Sequence, residues 1–188
     1  MKSIYIILTK SESLPSKLIT FFTHDKYTHA SIAFDRDLRV MYSFARKYTH
    51  LPLPAGLVEE RVDSGFWKNQ QNIPCAVLKI DADDKTFFRL KYKIRKMLDR
   101  KDDFKYSLIG LIMCGMNIET DIPNNFFCSQ FVAHVLAQSG AAEFDKPESL
   151  IHPSDFYSMD KFRCIYEGQL RGIRTKKRDL CTSAVGSV

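Results

Sequence analysis

The chain contains no Cys-X-X-Cys pair, and none of its cysteines stands at zinc-ligand spacing from another cysteine or a histidine. Its five cysteines, Cys75, Cys114, Cys128, Cys164 and Cys181, are also odd in number. A disulfide framework and a structural zinc site are therefore not expected, whereas a reducing compartment is. Long apolar runs are missing too. The most apolar stretch, residues 108–116, reaches about half of the roughly 20 residues that a membrane-spanning helix needs. Residues 4–8 are apolar but shorter than a signal-peptide core and are followed by Thr9 and Lys10, so a cytoplasmic location is expected. There is no internal repeat, which excludes a solenoid.

With 188 residues, 45% of them hydrophobic, the chain can bury one core but is short for two. One domain over residues 1–170 is expected, followed by a basic, flexible tail over 171–188 that includes Thr175-Lys176-Lys177-Arg178. The formal net charge is +6. Such an excess can serve an anionic substrate, a membrane surface or nucleic acid, but here it is spread along the chain. Arg89, Lys91, Lys93, Arg95 and Lys96 alternate with apolar residues as on the outer face of an amphipathic helix, and read as solvated charges. Nucleic acid is not expected as a partner; a membrane surface stays open.

Composition and periodicity place a buried strand at residues 4–9, a short helix at 15–22 and a β-hairpin with strands at 28–34 and 39–45. A stiff connection at 51–56 leads to a strand at 57–62 that carries Glu59 and Glu60. Another strand spans 74–80. Asp81, Asp83 and Asp84 then open an amphipathic helix that runs to residue 98. Residues 106–116 predict a second helix, almost wholly apolar and expected to be buried. A third helix starts at Cys128 and ends near Gly140, and a final strand covers 163–168. The fold class is α+β, a small antiparallel sheet or partial barrel with helices packed on one side.

The chemistry concentrates at the start of the third helix. Cys128 falls in its first turn, where free backbone N–H groups and the positive end of the helix dipole favour a thiolate. His29, at the start of the first hairpin strand, is the best base for it. His134 sits more than a turn further along the Cys128 helix and on another side, while His24, His50 and His152 read as surface loop residues. The residue that orients the imidazole depends on the hairpin. An even loop puts Tyr42 on the face of His29 and Ser31, and an odd loop puts Ser43 there. Gln130, Ser31 and Glu59 are candidates to bind substrate. The backbone N–H of Cys128 is the expected oxyanion donor.

In papain-like thiol enzymes the cysteine comes before the histidine in the chain. Here the order is reversed, with Thr28-His29-Ala30-Ser31-Ile32-Ala33 upstream of Phe127-Cys128-Ser129-Gln130-Phe131-Val132. This arrangement resembles the circularly permuted branch of the NlpC-type papain-like superfamily, above all the bacterial YiiX-like permuted amidases; lecithin:retinol acyltransferase-like proteins are more distant. Tyr106 and the apolar helix before the cysteine, and Pro153-Ser154-Asp155-Phe156, carry the likeness to about residue 168. The sequence departs from many relatives, which place a glutamate or histidine on the strand after the catalytic histidine, where this chain has Tyr42 and Ser43. The resemblance implies a permuted papain-like fold and a cysteine hydrolase that cleaves an amide of a small peptide-like or acyl-amide substrate through an acyl-enzyme. No cofactor is called for. Two rivals follow, a lipid-directed thiol acyltransferase or phospholipase and a non-catalytic module that binds an anionic surface.

Overall fold

Residues 4–9 are all buried, as a strand with no solvent face must be. In the computed structural model, which describes residues 1–10, 26–46, 55–62, 67 and 72–173, they belong to β1 (Lys2–Thr9), near the middle of the main sheet. The other elements are β2 (His29–Ala33), β3 (Met41–Arg46), β4 (Ala55–Glu60), β5 (Pro74–Ala82), α1 (Asp84–Asp99), β6 (Lys105–Tyr106), α2 (Leu108–Gly115), β7 (Asn125–Phe126), α3 (Cys128–Ser139), α4 (Pro153–Ser158) and β8 (Arg163–Gln169). The fold is α+β. Six strands form one antiparallel sheet in the order β4-β3-β2-β1-β5-β8, which stays open and does not close into a barrel. The strands β6 and β7 form a separate parallel pair.

Each strand alternates its side chains between two faces. Ile4, Ile6, Leu8, Ile32 and Leu78 join Leu90 and Ile94 of α1 and Phe131, Val132 and Val135 of α3 in the larger core. The other face carries Tyr5, Ile7, Met41, Cys75 and Val77, covered by Leu38, Trp67 and Leu170 among others. The helix α1 starts where Asp83 accepts a hydrogen bond from the Thr86 N–H at 2.9 Å, and it buries Phe87, Leu90, Ile94 and Met97. Its cations point outward, as the amphipathic pattern predicts, with one further use. Arg89 donates to the Ser139 carbonyl at 3.2 Å, at the C-terminal end of α3. Gly140 closes α3 at φ 77°, a left-handed conformation that glycine adopts without strain.

Two expectations change. The strand β4 starts at Ala55, two residues earlier than its apolar pattern suggests, because Ala55 and Gly56 pair with Arg46 and Ala45. The apolar segment before α3 is not buried on all sides. Ser107 caps the helix by accepting from Gly110 at 3.0 Å, so α2 starts at Leu108, and Tyr106 belongs to β6. Only Gly110, Leu111 and Cys114 of α2 are buried. The expected helix at 15–22, the histidines His24 and His50, the connection at 51–54 and the tail from 174 lie outside the described residues.

The seat of α3 rests on Phe131, which is fully buried with its ring 5.2 Å from that of Phe44 on β3. Removing a buried phenyl costs about 3–5 kcal/mol. Phe131→Ala is expected to lower stability by that amount in urea denaturation, whereas Tyr92→Ala, at an exposed position of α1, is expected to stay within about 0.5 kcal/mol of the wild type.

Candidate active site

The turn between β2 and β3 decides which side chains meet His29. Ala33 pairs with Met41, so residues 34–40 lie between the paired ends, an odd number. Leu38 sits in that turn at φ 49° with its side chain fully buried. The odd register carries Ser43 to the face of His29 and Ser31 and turns Tyr42 to the other side. There Tyr42 lies 6.0 Å, ring to ring, from Phe34. The Tyr42 alternative for orienting the imidazole is thus overturned by strand register.

The same alternation separates the two glutamates of β4. Glu59 joins Tyr42, Phe88, Lys91, Tyr92 and Arg95 along an open groove of about 400 Å³, on the opposite side of the sheet from His29. Its expected part in binding substrate at the cysteine fails on that ground. Glu60 turns the other way and enters the site. Its Oε2 lies 3.2 Å from His29 Nε2, and it accepts from the Ser31 hydroxyl at 2.8 Å and the Ser43 hydroxyl at 2.6 Å. Its Oε1 accepts from the Trp67 indole N–H at 3.2 Å. The Trp67 ring also lies 5.9 Å from the imidazole. Ser31 is therefore committed to the carboxylate, and sits 3.2 Å from His29 Nε2, rather than being free for substrate.

Cys128 reaches this cluster from the first turn of α3, which packs against β2 and β3. The β2–β3 ladder consists of Ile32–Tyr42 and Ala33–Met41, so His29 lies beyond it at the far end of β2. Cys128 lies near enough to the His29 ring for its hydrogen bonding and charge to help raise the imidazole pKa. Phe127, the N-cap residue, offers no side-chain hydrogen bond, so the first N–H groups of α3 are not capped by a side chain. Tyr106 adjoins the same corner: burial pushes its phenol well above the usual range, and the charge of Cys128 adds to the effect.

Both members of the ion pair are almost out of water, with 11% of the His29 side chain and 9% of the Glu60 side chain exposed. Burial disfavours the imidazolium, but the Glu60 charge and hydrogen bonds to Cys128 and Glu60 outweigh it, and the His29 pKa is pushed up to about 10. Burial likewise disfavours the Glu60 carboxylate; the His29 charge and hydrogen bonds from His29, Ser43 and Ser31 win and hold its pKa below the usual value. Cys75, by contrast, is buried without such a partner, and desolvation pushes its thiol up to about 12.

The remaining candidates fall apart from this cluster or beside it. Gln130 is buried, and its Oε1 has no hydrogen-bond partner among the described residues; the same holds for the Ser129 hydroxyl. His134 pairs with Glu148 at 2.7 Å and lies 5.0 Å from the Phe126 ring, away from the thiol as helix geometry predicts. His152 is not a free loop residue, since its Nε2 lies 3.6 Å from the Cys114 sulfur. Glu60 and Trp67 are the site residues that sequence reasoning missed. For Glu60 the signal was present in its adjacency to Glu59 on one strand, which requires opposite faces. Trp67 carried no signal. No family model matches the chain and no curated protein matches it.

The two shifts bound stability from both sides. Raised from 6.5 to about 10, His29 contributes its stabilisation in full below about pH 6.5 and loses it as the pH rises through 10. Glu60, with a depressed value, contributes above about pH 4.5 and loses the contribution as the pH falls through its folded pKa. Glu60→Gln is expected to bring the His29 titration, followed by its imidazole NMR signals, from about 10 to the ordinary histidine range or below. The same variant should flatten the loss of stability that the wild type shows between about pH 7 and 10.

Proposed function

We propose that the chain is a cysteine-dependent hydrolase of amide bonds, of the permuted NlpC-type papain-like kind, acting through Cys128, His29 and Glu60. The observation that carries this reading is the convergence of three elements distant in sequence: a thiol at the first turn of α3, an imidazole at the end of β2 and a carboxylate on β4, joined as thiol, ring and carboxylate. A nucleophile next to a base that is itself oriented by a third group is the general plan of covalent acyl transfer.

The charge state sets the order of events. With a pKa near 10, His29 is an imidazolium at neutral pH, so it serves as an acid already in place rather than as the base that first takes the thiol proton. Cys128 then attacks as the thiolate of a Cys⁻–His⁺ pair. The sulfur lone pair forms the bond to the carbonyl carbon, and the C=O π electrons move to oxygen. The first N–H groups of α3, Cys128 among them, steady that oxyanion. As the C–N bond breaks, the proton on His29 passes to the leaving nitrogen and a thioester remains. The neutral imidazole next takes a proton from water, whose oxygen attacks the thioester and expels the thiolate, restoring the ion pair. Throughout, Glu60 keeps the ring in place and favours its charged form.

The test joins labelling with turnover. Iodoacetamide at neutral pH is expected to alkylate Cys128 faster than Cys75 or Cys114, read by peptide mass, and His29→Ala should slow that labelling. Against a panel of aminoacyl and peptidyl amides, Cys128→Ala and His29→Ala should each lower the rate by about 10³-fold or more. Labelling of Cys128 no faster than that of Cys75, unchanged by His29→Ala, would sink the proposal.

A further inference from the structure

The apolar residues of α2 divide into two sides. Gly110, Leu111 and Cys114 face inward, where Leu111 and Cys114 pack with Phe127, the residue before the nucleophile, and with Tyr106. Outward, Leu108 is 44% exposed, Ile109 62%, Met116 54% and, just past the helix, Ile118 45%. Ile112 and Met113 are half-buried between them. At 100° per residue, Leu108, Ile109, Ile112 and Met113 lie within an arc of about 140°, and Met116 follows them as the C-cap. No charged residue occurs from Tyr106 to Ile118. The result is a continuous aliphatic ridge beside the candidate active site.

We infer that this ridge docks on a lipid surface, through the insertion of Leu108, Ile109, Met116 and Ile118 among lipid chains. Three properties of the ridge select that occupant. Its exposed side chains are aliphatic, without the tyrosine, tryptophan or arginine anchors that dominate protein interfaces. Its area is on the order of 400 Å², enough to mark an interaction site but about half of what each partner buries in a standard protein interface. A lipid surface also needs no shape complementarity from a convex ridge.

The charges around the ridge specify the kind of lipid. The segments entering and leaving it expose Arg100, Lys101 and Lys105 against Asp102, Asp103, Glu119 and Asp121, with Arg100 paired to Asp103, so the surroundings carry no excess of positive charge. Attraction to anionic headgroups is therefore not the driving force here, despite the overall charge of +6. Docking is apolar, holds on zwitterionic lipid and resists salt. Because α2 packs on Phe127, it brings the Cys128 end of α3 next to the lipid–water boundary.

The test is co-flotation of the full chain with vesicles of pure phosphatidylcholine. The wild type should float with the vesicles and stay bound at about 0.5 M NaCl, where charge attraction is screened within a few ångströms. Ile109→Asp and Met116→Asp should each lower the partition at least tenfold, with unfolding temperatures like that of the wild type because both sites are exposed. Lys91→Glu with Arg95→Glu, on the basic face of α1, should leave it unchanged. A wild type that stays with the unbound protein overturns the inference. So does loss of binding in the α1 variant but not in the α2 variants. Concentration-dependent self-association that Ile109→Asp abolishes would assign the ridge to a second copy of the chain and likewise overturn it.

Discussion

A charged pair with little access to water is the constraint on which this fold turns. Neither His29 nor Glu60 would be tolerated alone at such burial, because an unpaired charge away from water is strongly destabilising. Glu60 is accordingly saturated: Oε2 takes His29, Ser31 and Ser43, and Oε1 takes the Trp67 indole. Four segments of chain must arrive together for that to happen. The cost of separating them is what fixes the edge of the sheet formed by β2, β3 and β4.

The second half of the site depends on a different kind of force. Cys128 is carried by α3, which is anchored by packing: Phe131, Val132, Val135 and Leu136 are fully buried in the larger core, and Arg89 ties down the opposite end of the helix. A polar cluster on one face of the sheet and an apolar core on the other are thus joined at one place, the contact between thiol and imidazole. The division explains why α3 can present its first turn to the cluster without giving up its own burial.

Much of this was legible in the residues. The strand at 4–9, the amphipathic helix after Asp83, the Cys128 helix with its terminal glycine and the hairpin that opens on His29 all have strong local patterns, and all are present in the structure. What could not be read was register. Whether Tyr42 or Ser43 faced the imidazole depended on one residue of turn length, and only the buried Leu38 turn resolves it. The carboxylate is hidden for a related reason: Glu60 reaches the ring from β4, one strand beyond the hairpin that carries His29, and local pattern does not show which strand pairs there. The aliphatic face of α2 was hidden by uniformity, since a helix apolar all round gives no sign of which side the protein covers.

The seven-residue span between the paired ends of β2 and β3 has a consequence for how this chain can vary. Because adjacent residues of β3 face opposite ways, a single insertion or deletion in residues 34–40 that slid β3 by one place would bring Tyr42 or Phe44, according to its direction, in place of the Ser43 hydroxyl that donates to the buried carboxylate. Changes of two residues would preserve the faces. The register of β3 against β2 is therefore held by a charge pair outside the turn, since even a slide of two places, which keeps the faces, sets Met41 or Ala45 where Ser43 donates.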